Sequence, residues 1–123
     1  MSEKPLAERL QVKHNRTLAV TDLPPGLADQ FDPAATTRPP AEADVTLAFT
    51  PDRASLDTWL AGPARTTRQD AILWIAYPKL TSALAGDLNR DAIRALVLAH
   101  GLDTVSQIAI DATWSALRLK RTG

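Results

Sequence analysis

The sequence predicts an α/β fold: a three-layer αβα sandwich of about three parallel strands with right-handed crossovers, ending in an antiparallel hairpin at one edge. Two observations carry this. Short strand-like runs alternate with helical stripes along most of the 123 residues, the order expected of βα units. The apolar run Ala71 to Ala76, bounded by Asp70 and Pro78, suits a strand buried on both faces, the condition of a central parallel strand covered by helices.

Each element has its own signal. Leu6, Ala7 and Leu10 predict a short helix within Pro5 to Val12, followed by the polar break Lys13 to Arg16. Thr17 to Thr21 reads as a strand closed by Asp22-Leu23-Pro24-Pro25-Gly26, and Leu27, Ala28 and Phe31 place an apolar stripe on one or two helical turns. The proline-rich stretch from Asp32 to Ala43 reads as a loop, because Pro39-Pro40 removes two backbone donors. Val45 to Thr50 alternates as a strand. Asp52 is placed to cap a helix burying Leu56, Trp59 and Leu60, which Gly62-Pro63 stops. Asn89 caps the next helix, with Ile93, Leu96 and Val97 at helical spacing until Gly101 ends it. Val105 to Ile110 and Ala116 to Lys120 read as strands joined through Asp111 to Trp114. The basic end Arg118 to Arg121 reads as a solvated edge strand guarded by charge.

Composition narrows the class. A chain of this length is expected to be a single domain, 1–123, with 1–16 as N-terminal helix and linker and 32–43 as the proline-rich loop. With no cysteine there is no disulfide, thiol nucleophile or thiolate metal site. Fourteen basic residues balance 14 acidic ones, so there is no basic field for nucleic acid. No apolar run approaches the roughly 20 residues of a membrane span, and no signal peptide is evident behind Met1-Ser2-Glu3-Lys4-Pro5. A cytoplasmic protein is expected.

In an open α/β sheet, ligands bind beyond the carboxyl ends of the strands. The first such loop holds one glycine, Gly26, behind Pro24 and Pro25, which supply no N–H to a phosphate; no cofactor is expected there. Glu42 and Asp44 lie near the spacing of a ribose-binding acid but begin a strand instead of ending one. Tyr77-Pro78-Lys79-Leu80-Thr81-Ser82 is the richest segment. Lys79 as a point charge and Ser82 as a donor, joined by Thr81, Arg90 and Asp22, are the candidate ligand-binding residues for a phosphate or carboxylate. The same types also serve as scaffold, with Asp87 pairing Lys79 or Arg90. No catalytic residues are assigned: His14 lies in a polar linker, His100 at a helix end, and no nucleophile motif or metal-ligand spacing is present. Trp59 and Trp74 fit core stripes. Trp114, in a turn, either folds over the sheet or stands exposed as the candidate anchor for a partner.

The strings W-x-x-x-P-K-x-x-S (Trp74, Pro78, Lys79, Ser82) and D-x-T-W-S-x-L (Asp111, Thr113, Trp114, Ser115, Leu117), with Asp87-Leu88-Asn89-Arg90-Asp91 and Gly101-Leu102 between them, resemble a bacterial family of small stand-alone proteins known as a domain of unknown function. The resemblance is good over Ala71 to Arg121 and looser over Leu6 to Phe49. It implies a shortened, Rossmann-like version of the S-adenosylmethionine-dependent methyltransferase fold, with outer strands on one side absent. The Thr17 strand would then be an edge, followed by those at Val45 and Ala71, then the C-terminal strand, with Val105 to Ile110 on the far edge. The resemblance carries no reaction. The leading functional expectation is a non-catalytic module that binds another protein or a second copy of itself. The alternative is a binder of nucleotide-like or S-adenosylmethionine-like small molecules, and an enzyme is the least favoured reading.

Overall fold

A computed structural model describes residues 6–12, 15–31, 33–79 and 86–122. It contains one five-stranded mixed sheet. In chain order the elements are α1 (Leu6–Arg9), β1 (Leu18–Thr21), a 3-10 helix (Pro25–Gln30), α2 (Pro33–Thr37), a 3-10 turn (Pro40–Glu42), β2 (Val45–Phe49), α3 (Arg53–Ala61), α4 (Pro63–Thr66), β3 (Ile72–Pro78), α5 (Arg90–Leu98), β4 (Leu102–Ala109) and β5 (Trp114–Arg121).

The sheet order is β1-β2-β3-β5-β4. β1, β2 and β3 pair in parallel, in a register that sets Leu18 beside Val45 and Val45 beside Ile72. β5 runs antiparallel to both neighbours. Period-two alternation sends successive side chains to opposite faces, and each face has its own core. On one face Leu18, Val20, Leu47, Phe49, Trp74 and Ala76 pack with Leu6 of α1, Leu10 just after it, Leu27 of the first 3-10 helix, Phe31 beyond that helix and Ala35 of α2. On the other, Leu73, Ile75, Tyr77, Leu117 and Leu119 pack with α3, α4 and α5 through Leu56, Trp59, Leu60, Ala64, Ile93 and Val97. Helical elements on both faces make three layers.

Local signals explain the helix limits. Asp52 accepts the Ser55 N–H at 2.8 Å to start α3, and Asn89 accepts the Ala92 N–H at 2.8 Å to start α5, each satisfying a donor that the first helical turn leaves unpaired. Beyond α5, Gly101 has φ of +75°, a backbone conformation in which a Cβ is penalised.

Three expectations need correction. Within 32–43 the chain is not simply a loop: α2 and the 3-10 turn occupy much of it, Ala35 is buried, and proline serves as the first helical residue, where its missing N–H costs nothing. Pro63 likewise ends α3 only to open α4. The basic C-terminal segment is not an edge. β5 is interior, and Arg121 turns back to donate to Thr67 Oγ1 at 2.7 Å and to the carbonyls of Arg68 and Gln69. The real edge there is β4, which contains no lysine, arginine or proline. Its protection is a bulge: between the pairs Thr104–Leu119 and Gln107–Leu117, β4 holds one residue more than β5, a distortion that interrupts a flat pairing template. At the other edge, the Arg38 guanidinium donates to the Leu18 carbonyl at 2.7 Å, occupying one acceptor of β1. Trp114, for which the sequence leaves burial and exposure both open, is taken up with the site.

Candidate functional site

The three parallel strands end at Thr21, Phe49 and Pro78, and a concavity opens at the last of these. β3 continues into Lys79, whose N–H donates to the Thr113 carbonyl at 2.7 Å, fixing the strand end against the β4–β5 connection. A groove of about 800 Å³ lies between this strand end, the start of α5 and the facing end of the β4–β5 hairpin. Tyr77, Lys79, Arg90, Gln107 and Ser115 bring a phenol, two cations, an amide and a hydroxyl to its walls, with Asn89 and Asp91 on the helix side.

Their electrostatics follow from position. Tyr77 is buried, and loss of water around the phenol pushes its pKa up, which the Arg90 cation partly offsets. The phenol therefore remains a neutral hydrogen-bond donor at physiological pH. Arg90 is exposed at the first position of α5, and the described residues give its guanidinium no hydrogen bond or ion pair. Asp91 follows in the first helical turn, where a carboxylate is favoured by the helix dipole.

The sequence-derived candidates do not all converge. Lys79 and Arg90 line the same groove. Asp22 belongs to a different hollow of about 380 Å³ beside α3, shared with Asp52, Ser55 and Trp59. Its φ of +57° is a left-handed conformation that aspartate tolerates better than most residues. Thr81 and Ser82 lie outside the described residues. Asp87 Oδ1 accepts the Arg53 N–H at 2.9 Å, at the start of α3. Gly26 makes no close approach, since a Cβ there would meet nothing within 4 Å. The groove also contains Tyr77, Gln107 and Ser115, which are not among the sequence-derived ligand candidates. Tyr77 directly follows an apolar run and reads as its continuation, and Gln107 and Ser115 reach the site only through the β3–β5–β4 pairing, for which a local pattern gives no signal.

Trp114 is 6% exposed. Its ring meets Phe49 edge-on at 5.1 Å, and Phe49 meets Phe31 in the same manner at 6.3 Å. The indole is core, so it offers a partner no exposed ring. The turn before it is built by Asp111, whose Oδ1 accepts the N–H groups of Thr113 and Trp114 at 2.8 and 2.7 Å; this Asx arrangement buries the ring at the start of a strand.

Asp44 has a structural task at the opposite edge of the sheet. Its Oδ2 accepts the Thr17 N–H at 2.8 Å and its Oδ1 meets Arg68 at 2.9 Å. The Thr17 N–H leads the influences that hold this carboxyl below its ordinary pKa. The Ser55 N–H does the same for Asp52, and the Arg94 side chain for Asp103. All three ionise more readily in the folded chain than in the unfolded one. Their contribution to stability is complete above the ordinary carboxylate value of about 4 and is lost as pH falls through the lowered values. The urea midpoint is thus expected to hold between pH 7 and pH 5 and to fall below about pH 4; a midpoint unchanged at pH 3 would contradict these assignments.

No grouping of three or more His, Asp or Glu able to hold a metal occurs among the described residues. Nor is any helix among them long and apolar enough to cross a membrane.

No family model matches the chain, and no curated protein matches its sequence. Solved structures do match its fold. A LepI variant in complex with SAH and a substrate analogue aligns with a TM-score of 0.54 at 13% identity, over 94% of this chain and 39% of LepI. LepI in complex with SAM gives a TM-score of 0.52 at 12% identity over the same shares. The mitomycin 7-O-methyltransferase MmcR gives 0.52 at 16% identity, over 67% of this chain and 30% of MmcR. The likeness is one of fold, methyltransferase-like in its α/β architecture, and the chain spans well under half the length of each of these proteins.

Proposed function

We propose that this protein is a small-molecule-binding module whose ligand carries a phosphate or carboxylate, held in the groove at the carboxyl end of β3. The observation that carries the reading is the meeting of Arg90 and Lys79 with the neutral Tyr77 phenol and the Ser115 side chain in one concavity of about 800 Å³. That volume falls within the roughly 300–1,000 Å³ of small-molecule sites. Arg90 is the anchor, because a guanidinium presents a planar fork matched to a carboxylate or phosphate. The carboxyl edge of the sheet is where α/β folds place ligands. LepI, whose fold this chain resembles, has been solved with SAM and with SAH. Nucleotides and S-adenosylmethionine-like molecules, which carry a phosphate and a carboxylate respectively, therefore make up the ligand class.

Binding without chemistry is the proposed role. The burial of Trp114 removes the feature that most favoured a protein-interaction module.

The test is calorimetry and thermal shift with inorganic phosphate, AMP, S-adenosylmethionine and S-adenosylhomocysteine. At least one is expected to bind the wild-type chain. Arg90→Gln is expected to weaken that binding at least tenfold, as loss of a charge-assisted hydrogen bond of about 1.5–3 kcal/mol requires, with an unchanged melting temperature in the absence of ligand. Failure of all four at millimolar concentration, or binding indifferent to Arg90→Gln, would refute the proposal.

A further inference from the structure

On the opposite edge of the sheet, at the amino end of β1, a second cavity of about 340 Å³ lies between the strand, the end of the first 3-10 helix and α2. Its floor is apolar, formed by Leu18, Phe31 and Ala35, all buried in the core, with the half-buried Val12 beside them. Two guanidinium groups also line it, those of Arg16 and Arg38.

The commitments of these arginines are few. Arg38 Nη1 donates to the Leu18 carbonyl at 2.7 Å, and Arg16 Nη1 donates to the Gln11 carbonyl at 3.1 Å. Each guanidinium has five N–H donors, and a backbone carbonyl satisfies one without neutralising the charge. Neither arginine forms an ion pair among the described residues. The nearby carboxylate, Asp44, is bonded to Thr17 and Arg68, and Arg16 is the smallest of the influences that lower its pKa. Among the described residues, an apolar hollow thus sits beside two cations with no carboxylate in direct contact.

We propose that this cavity binds a small carboxylate with an apolar body, the chemistry of a medium-chain fatty acid. The carboxylate would take the free edge of a guanidinium in a paired hydrogen-bonding geometry, and the hydrocarbon would fill the hollow against Leu18, Phe31 and the half-buried Val12. Inorganic phosphate could satisfy the cations but would leave the apolar floor uncovered. A neutral hydrocarbon would cover the floor but draw water from the guanidinium groups without compensation. The cavity is near the lower bound of about 300 Å³ for ligand sites, which favours a short body over a long lipid tail. Because it lies at the amino end of β1, this site is separate from the groove at the carboxyl end of β3.

Octanoate is the probe, with acetate and octylamine as controls for charge alone and for chain alone. Octanoate is expected to bind by calorimetry and to raise the melting temperature, with both controls inactive at the same concentration. Arg38→Gln and Arg16→Gln should each weaken octanoate at least tenfold. Ala34→Phe, at an exposed position on the cavity wall, should weaken it similarly by filling the space while sparing both arginines. Arg90→Gln should leave octanoate binding unchanged, which separates this site from the groove. If Arg38→Gln fails to fold, Arg16→Gln and Ala34→Phe decide the matter. Absence of octanoate binding at millimolar concentration, equal binding of octylamine, or octanoate binding untouched by Arg16→Gln and Ala34→Phe would each overturn the proposal.

Discussion

Trp114→Ala is expected to cost about 3–5 kcal/mol of stability, the range for removing a large aromatic side chain from a packed core. The ring is 6% exposed and forms one end of an edge-to-face series running through Phe49 to Phe31, so its loss opens a cavity that three elements share. Edge-to-face pairs contribute about 0.5–1.5 kcal/mol beyond their buried area, and Trp114→Phe should recover a substantial part of the loss. Urea unfolding of both variants checks this. A cost below about 1 kcal/mol for Trp114→Ala, the value of an exposed substitution, would mean that the ring is peripheral.

Trp74→Phe is the second large effect, and its signature is positional. Trp74 Nε1 donates to the Leu10 carbonyl at 2.9 Å in a buried contact, with Leu10 itself fully buried. This bond ties the chain just after α1 to the middle of β3, and Arg9 adds a second tie by donating to the Ala109 carbonyl. Phenylalanine preserves an apolar ring but leaves the Leu10 carbonyl buried without that donor. The expected cost is about 2–4 kcal/mol, combining an unsatisfied polar group with a small cavity. Hydrogen exchange should quicken first in residues 6–12, while β2 amides keep their protection. Uniform acceleration across the sheet would show that α1 does not open as a separate unit.

Much of this architecture is legible from residue pattern. Alternation in Val45 to Phe49 and the apolar run before Pro78 mark β2 and β3, and Asp52 and Asn89 cap the helices for which their types suit them. What the pattern misses has a common physical origin. α2 and α4 are helices of five and four residues opened by proline; such short turns are held by packing, as Ala35 and Ala64 show by their burial, and carry no long periodic stripe. The basic string at Arg118 to Arg121 looks like an edge because charge usually marks exposure, yet Arg121 spends its charge on neighbouring carbonyls and a hydroxyl. At the site, Lys79 and Arg90 were foreseeable as loop and helix-start cations. The separation of Asp22 from them was not, because it depends on which strand end each loop leaves. Trp114 shows the limit in one residue: its turn position is visible in the sequence, whereas its burial depends on Phe49, 65 positions earlier.

The placement of β5 bears on how the chain is assembled. β4 is synthesised before β5 but pairs with no strand other than β5, and β3 has only β2 as a partner until β5 enters between them. During translation the unpaired backbone edge of the apolar strand Ile72–Pro78 therefore remains open until the eight-residue strand β5 has left the ribosome. An exposed edge of that kind is a template for intermolecular pairing. The sheet is completed from its interior by β5, the last of its five strands in chain order, so a nascent chain halted before Trp114 lacks the piece that joins its two halves.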